Sequence, residues 1–352
     1  MRIRSCLLFA ILVGWAHKSS ADVIYGVTDL GTLGGTTHGA GINSAGQVTG
    51  SSGSHAFLYS NGQMMDLGTL GASYSYGSSG LAINNVGQVV GFAQSASGAT
   101  HAFLYNNGQM ADLGTLGGNY SSGSGINNGG QVVGQSSLAN GSTHAFLYSN
   151  GQMIDLGTLG QDLSLGFGLN NRGQVTGISV PSMAYERAFL YSNGQMTNLG
   201  TLPEYYSSYG YAINNEGEVT GASGTSPVGP DHAILYSNGQ MRDLGGLPGY
   251  SNNTGLAIND AGQVVGTASN VNSSISRAFL YSNGQMQDLN NMIDPSLGLT
   301  LSDARAINDS GQIVANGGNR AFLLTPVPEQ STLLLSGVAV IALFVHSRRP
   351  LR

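Results

Sequence analysis

Along the body of the chain, apolar residues fall in short runs of about 4–6 positions, and the three-and-four spacing of an amphipathic helix is nearly absent. Gly, Asn, Asp and Ser bound these runs, which therefore predict short β-strands joined by tight turns. In HAFLYSNGQMMDLGTLG, His55–Gly71, the run breaks at Asn61-Gly62, the strongest short-range signal for a two-residue type I′ hairpin. That loop sets Tyr59 opposite Met64 and Phe57 opposite Asp66, and turns Ala56, Leu58 and Leu67 to the other side. Both faces are then apolar, as in a sheet covered on both sides. In INSAGQVTG, Asn43 and Gly46 stand where a type I turn favours Asn first and Gly last. The 55 glycines are assigned mainly to such turns.

The pattern repeats. A (His/Arg)-Ala-(Phe/Ile)-Leu block begins at His55, His101, His144, Arg187, His232, Arg277 and Arg320, at spacings of 46, 43, 43, 45, 45 and 43. An INxxGQVVG-like block begins at Ile42, Ile83, Ile126, Leu169, Ile213, Ile258 and Ile307. A DLGTLGG-like block begins at Asp29, Asp66, Asp112, Asp155, Asn198, Asp243 and Asp288. Four strands in each unit of about 40–45 residues predict an all-β, seven-bladed β-propeller of four-stranded antiparallel blades, ahead of a solenoid with its shorter rungs. The chain enters at Val27 on a DLGTLGG strand and ends after Arg320 without one, so the N-terminal strand is expected to complete the last blade and close the ring. The basic residue precedes the acidic one by 11 positions in five pairs, from His55 and Asp66 to Arg277 and Asp288, which predicts cross-strand contacts of structural purpose. Arg187 meets Asn198 instead, and Arg320 is expected to reach Asp29 across the closure.

The two ends differ from this body. Arg2 and Arg4, the apolar run Leu7–Trp15 and the small residues Ser19 and Ala21 predict a secretory signal over Met1–Ala21, with cleavage before Asp22. Leu333–Val345 is a second apolar run, shorter than the about 20 residues of an ordinary membrane span, followed by Arg348, Arg349 and Arg352. Cys6, Trp15 and Lys18 are the only residues of their types. The body, 22–326, is therefore without disulfide, cysteine-held metal or lysine Schiff base. Its 6 Arg against 17 Asp plus Glu give a formal charge of −11, which argues against nucleic acid as a partner. An exported chain without disulfides points to a bacterium.

The blocks HAFLYSNGQM, DLGTLGG and INNxGQVVG resemble those of the HAF-repeat family of extracellular bacterial proteins, over about 300 residues. The resemblance implies secretion and a repeated β fold. The tail TPVPEQSTLLLSGVAVIALFVHSRRPLR resembles a PEP-CTERM sorting signal: Val327-Pro328-Glu329, Ser331-Thr332, a short apolar helix and a basic end with Arg348 and Arg349, with Gln330 where that family usually has a second proline. This implies a pause of the helix in the inner membrane with its arginines cytoplasmic. An exosortase-type membrane protease would then cut near Pro328-Glu329 and pass the protein to the cell surface or matrix of a Gram-negative bacterium. A plain membrane anchor is the other reading of this tail.

Chemistry is sparse by comparison. Outside the repeated blocks the body has one histidine, His38, so a Ser/His/Asp triad or a multi-histidine metal site would have to use it or dismantle the framework. Glu204, Asp231, Asp294 and Asp303 are carboxylates outside the framework that a glycosidase could pair. Asp260 and Asp309 lie in turns and lack the acidic density of a calcium loop. No catalytic residue, metal or cofactor is assigned. The connections after DLGTLGG and before HAFLY vary in length and content, unlike the uniform INxxGQ and SNGQ turns, and in a meander both emerge at one end. They carry Tyr74, Tyr76, Tyr120, Tyr205, Tyr206, Tyr209 and Tyr250 among Ser, Gly and Asn, the composition of an adaptable recognition surface; local packing over the blade ends is the alternative role. The favoured function is a non-enzymatic secreted propeller that binds or organises extracellular material, polysaccharide or a surface protein, through that face. A carbohydrate-active hydrolase or lyase using loop carboxylates, and a purely structural protein, are the alternatives.

Overall fold

The computed structural model describes residues 25–71, 77–181, 185–225, 231–270 and 275–327. Tyr74, Tyr76, the signal-like Met1–Ala21 and the tail from Pro328 onward, with Glu329, Leu333–Val345, Arg348 and Arg349, lie outside the described residues. Residues Tyr25–Pro326 form one compact unit.

The unit is all-β; helical structure among the described residues is confined to two 3-10 turns, Leu289–Met292 and Pro295–Leu297. After β1 (Tyr25–Asp29), the strands come in antiparallel meanders. The first is β2–β5 (Thr37–Ile42, Val48–Ser52, His55–Ser60, Gln63–Asp66) and the second β6–β9 (Ser78–Ile83, Val89–Gln94, Thr100–Asn106, Gln109–Asp112). Then follow β10–β13 (Gly117–Ile126, Val132–Leu138, Thr143–Ser149, Gln152–Asp155) and β14–β17 (Gly160–Leu169, Val175–Pro181, Arg187–Ser192, Gln195–Asn198). Next are β18–β21 (Ser207–Ile213, Val219–Gly224, Asp231–Ser237, Gln240–Asp243) and β22–β25 (Asn252–Ile258, Val264–Ser269, Ser276–Ser282, Gln285–Asp288). The last group is β26–β28 (Asp303–Ile307, Ile313–Gly317, Arg320–Pro326), and β1 pairs antiparallel with β28, setting Tyr25 opposite Pro326 and Asp29 opposite Phe322. The strands fall in five sheets, of which one has 12 strands. That large sheet is three meanders tied at single parallel pairs, Tyr120 with Thr100 and Thr143 with Leu163.

Local chemistry explains the turns. Asn61 and Gly62 both have positive φ, 52° and 79°, as a type I′ turn requires, and the Asn-Gly pairs at 107, 150, 193, 238 and 283 repeat this. The register follows: Phe57 lies opposite Asp66 and Tyr59 opposite Met64. His55, His101, His144 and His232 each place Nδ1 2.7–2.9 Å from the carboxylate of Asp66, Asp112, Asp155 and Asp243. Arg277 meets Asp288 at 3.8 Å, and Arg320 meets Asp29. Arg187, without an acid opposite, donates to the backbone carbonyls of Tyr185, Glu186 and Tyr206.

The core lies between successive strand groups. One Phe of each (His/Arg)-Ala-Phe block is fully buried, at Phe57, Phe103, Phe146, Phe189, Phe279 and Phe322, with Ile234 in the remaining copy. Burying such a side chain contributes about 1.5–3 kcal/mol. Phe103 packs with Ala56 and Leu58 of the preceding group, and Phe57 packs with Val314 and Ala321 of the last. Glycine here has a second use beyond turns. A Cβ on Gly134 would stand 1.9 Å from the Ser122 carbonyl oxygen and 2.9 Å from the Phe146 ring, and glycines 50, 91, 177, 221 and 266 meet the same kind of obstruction. These strand glycines are kept by close approach of a neighbouring strand carbonyl, joined at Gly50, Gly134, Gly177 and Gly266 by the Phe ring, which turn chemistry alone does not account for.

The INxxG turns are linked to one another. Each leading Asn is buried, and its Nδ2 donates to the backbone carbonyl of the next: Asn43 to Asn84, then on to Asn127, Asn170, Asn214, Asn259 and Asn308, at 3.0–3.2 Å. Asn308 donates to the carbonyl of Asn43 at 3.0 Å, so the series returns to its start.

Candidate functional site

The strands that lead into the INxxG turns, β2, β6, β10, β14, β18, β22 and β26, share an irregularity. In β2 the pairing steps from Gly39 opposite Gly50 to Gly41 opposite Thr49, which leaves Ala40 without a partner. The same step leaves out Leu81, Ser124, Phe167, Tyr211, Leu256 and Arg305. Each is the extra residue of a β-bulge, a device that bends the strand and re-aims one side chain. All of them line a single cavity of about 580 Å³.

The flanking positions are Gly or Ala throughout, from Gly39 and Gly41 to Ala304 and Ala306. Neighbouring strands crowd them: a Cβ on Gly80 would lie 2.1 Å from Thr49 Oγ1, and one on Gly210 2.3 Å from Thr176 Oγ1. The bulge residue is free of that constraint. It therefore varies between two uniformly small neighbours, reading Ala, Leu, Ser, Phe, Tyr, Leu and Arg around the cavity.

One arc of the wall is aromatic. The rings of Phe167 and Tyr211 are 5.5 Å apart, and Tyr209 stacks on Tyr211 at 6.0 Å with planes 4° apart. Phe92 and Tyr120 also line the cavity, and the Tyr120 hydroxyl accepts from Gln135 Nε2 at 3.2 Å. Burial pushes the Tyr211 phenol up to about 12, with the nearby Tyr209 and Asp231 adding to it and Arg305 opposing. Tyr209 and the Asp231 carboxyl are likewise raised above their ordinary values, first of all by burial. Arg305 donates from Nε to Asp303 Oδ1 at 2.7 Å. Beyond the ring of Ile and Leu that opens each INxxG turn, the Asn residues line a second, polar space of about 170 Å³. Asp260 and Asp309 belong to it and accept from the backbone N–H of Asn215 and Asp260, a hydrogen-bonding role between turns.

The tyrosines singled out from the loops take different places. Tyr120 lines the cavity, and Tyr209 stacks on the cavity residue Tyr211. Tyr205 places its hydroxyl 3.0 Å from His232 Nε2, so it buttresses the His232–Asp243 pair. Tyr206 is exposed, with its ring 5.9 Å from that of Tyr185, and Tyr250 packs against the cluster of Leu247 and Ile258. Among the loop carboxylates, Asp294 caps the 3-10 turn through Ser296 N and Asp303 holds Arg305. Among the described residues no group of three or more His, Cys, Asp or Glu is placed to hold a metal ion. Phe167, Tyr211 and Arg305 were not legible as site residues from loop composition. Their signal is a varied letter between two small residues, two places before each Ile or Leu of the INxxG block.

No protein-family model matches the chain, and no curated protein matches it. Solved structures share its fold. The extracellular domain of the one component system BT4673 from B. thetaiotaomicron superposes with a TM-score of 0.53 at 13% identity, over 86% of this chain and 40% of that one. YCF48 bound to D1 peptide gives 0.52 at 12%, over 88% and 96%. A Mycobacterium tuberculosis puromycin-hydrolyzing peptidase gives 0.51 at 12%, over 72% and 44%. The chain thus spans less than half the length of the first and third. At these identities the likeness concerns the fold, and it defines the class: an all-β, propeller-like protein. Among the described residues no helix is long and apolar enough to cross a membrane.

Proposed function

We propose that the chain is an exported, non-enzymatic, seven-bladed β-propeller, closed by β1 completing the last blade, that binds extracellular polysaccharide through its central cavity. The pairing of β1 with β28 and the return of the Asn series from Asn308 to Asn43 support the closed ring. The observation that carries the binding role is the bulge position. Its two neighbours are Gly or Ala in every copy, while the bulge side chain that lines the cavity varies around the series. Varied side chains brought to one cavity between uniformly small neighbours are what a recognition site needs, a few distinct groups on a rigid support. Aromatic faces beside hydroxyl and amide groups suit the alternating apolar and polar surfaces of sugars. The signal-like N-terminus and the PEP-CTERM-like tail complete the proposal: processing by an exosortase-type protease near Pro328-Glu329 and delivery to the surface or matrix of a Gram-negative bacterium.

The test is saturable binding of the full chain, in mild detergent, to a glycan array and to the host's matrix polysaccharide. Tyr211→Ala is expected to abolish binding without unfolding the protein; a folded chain that binds no saccharide refutes the reading.

A further inference from the structure

Charge is unevenly placed in the cavity. Among the described residues Arg305 is the one charged residue lining it. Its partner Asp303 is held from several sides: Oδ1 accepts from Arg305 Nε at 2.7 Å and from Asn316 Nδ2 at 3.0 Å, and Oδ2 from Ser302 Oγ at 3.2 Å. A carboxylate fixed in this way orients the guanidinium through Nε alone. Among the described residues both terminal amino groups of Arg305 are without a partner, and its side chain is half exposed. The outer edge of a guanidinium held by Nε is a planar fork that matches a carboxylate with two parallel hydrogen bonds. Tyr211 and Phe167 stand in the same wall, on the other side of Leu256.

We infer that the cavity selects a carboxylate-bearing sugar, a uronic acid unit, within the polysaccharide; this rests on the saccharide reading above. The carboxylate would take the free edge of Arg305, and the apolar face of the pyranose would lie on Tyr211 and Phe167. Tyr120, Gln135 and Ser124 both donate and accept, which suits the hydroxyls of a sugar. A peptide carboxyl terminus also matches Arg305 but brings no row of ring hydroxyls to these groups. The body's formal charge of −11 repels polyanions at long range, so preference for the acid has to come from this one contact.

The experiment is calorimetric titration of the full chain with a glucuronate-containing oligosaccharide and with its carboxyl-reduced, neutral counterpart. The acid is expected to bind about tenfold or more tightly than the neutral form, as a charge-assisted bidentate contact warrants. Arg305→Gln should erase that difference while neutral binding persists, and Arg305→Lys, which keeps the charge but not the fork, should retain only part of it. Tyr211→Ala should weaken both. Equal affinity of the native chain for the two sugars, or a preference that survives Arg305→Gln, overturns the carboxylate inference and leaves the saccharide cavity standing. Binding of neither sugar, with capture of a peptide bearing a free carboxyl terminus, overturns both readings.

Discussion

The Asn series allows closure of the ring to be tested by comparing two substitutions. Asn127 sits in mid-series: Nδ2 donates to Gln131 Oε1 at 2.8 Å and to the Asn170 carbonyl at 3.1 Å, and Oδ1 accepts from Gly129 N and Gln131 N at 3.0 Å each. Asn308 makes the same four contacts, with Gln312, Ser310 and, across the seam, the Asn43 carbonyl. Both are buried. Alanine removes all four hydrogen bonds. Gly129 and Ser310 are exposed and recover water, whereas the inner carbonyl and the Gln amide are poorly placed to do so. At about 1 kcal/mol net for each replaceable bond and up to about 3 for a buried group left alone, either variant should lose about 2–4 kcal/mol. Urea unfolding of the two variants beside the native chain measures this directly. In a closed ring the two losses agree within about 0.5 kcal/mol, whereas an open seam makes Asn308→Ala cheaper by about 1 kcal/mol, the worth of one bond. Unequal losses of that sense refute closure, and a loss below about 1 kcal/mol for Asn127→Ala refutes the importance given to the series.

Three further outcomes are expected. Gly134→Ala, which drives a methyl into the Ser122 carbonyl and the Phe146 ring, should cost at least about 2–3 kcal/mol in the same assay, because backbone on one side and a packed ring on the other leave it no room. Removing Val23–Leu33 takes away β1 with buried Tyr25 and Leu30 and uncovers β28, so the truncated chain should melt well below the native one; an unchanged Tm sinks the closing role of β1. Burial pushes Tyr25 and Tyr211 up to about 12, above the ordinary value of 10.0. The unfolded chain therefore loses these protons first: the stability they contribute is whole below pH 10 and fades as pH rises towards 12. Absorbance titration of the phenols should show Tyr25 and Tyr211 ionising late, together with alkaline unfolding; loss of the late phase in Tyr25→Phe and Tyr211→Phe variants assigns it, and absence of any late phase contradicts this.

Much of the architecture is written locally. Asn61-Gly62 and its copies specify a turn because Asn and Gly tolerate positive φ, and the turn with the alternation of the flanking strands sets which residues stand opposite one another. Hence the contacts of His55 with Asp66 and of its repeats, and even that of Arg320 with Asp29, could be read from spacing. The tyrosines show where such reading stops. Loop composition treats Tyr205, Tyr206, Tyr209 and Tyr250 alike, yet one supports a histidine, one is exposed, one stacks beside the cavity and one, half-buried, packs against the core.

The sequence by itself determined the strands, their turns, the repeat and the pairing within each hairpin, because these depend on neighbours a few residues apart. The tertiary structure alone decided which side chains share a cavity. Ala40, Tyr211 and Arg305 are far apart along the chain, and each points inward because a bulge against its partner strand turns it there, an outcome of pairing and close packing that no single segment contains.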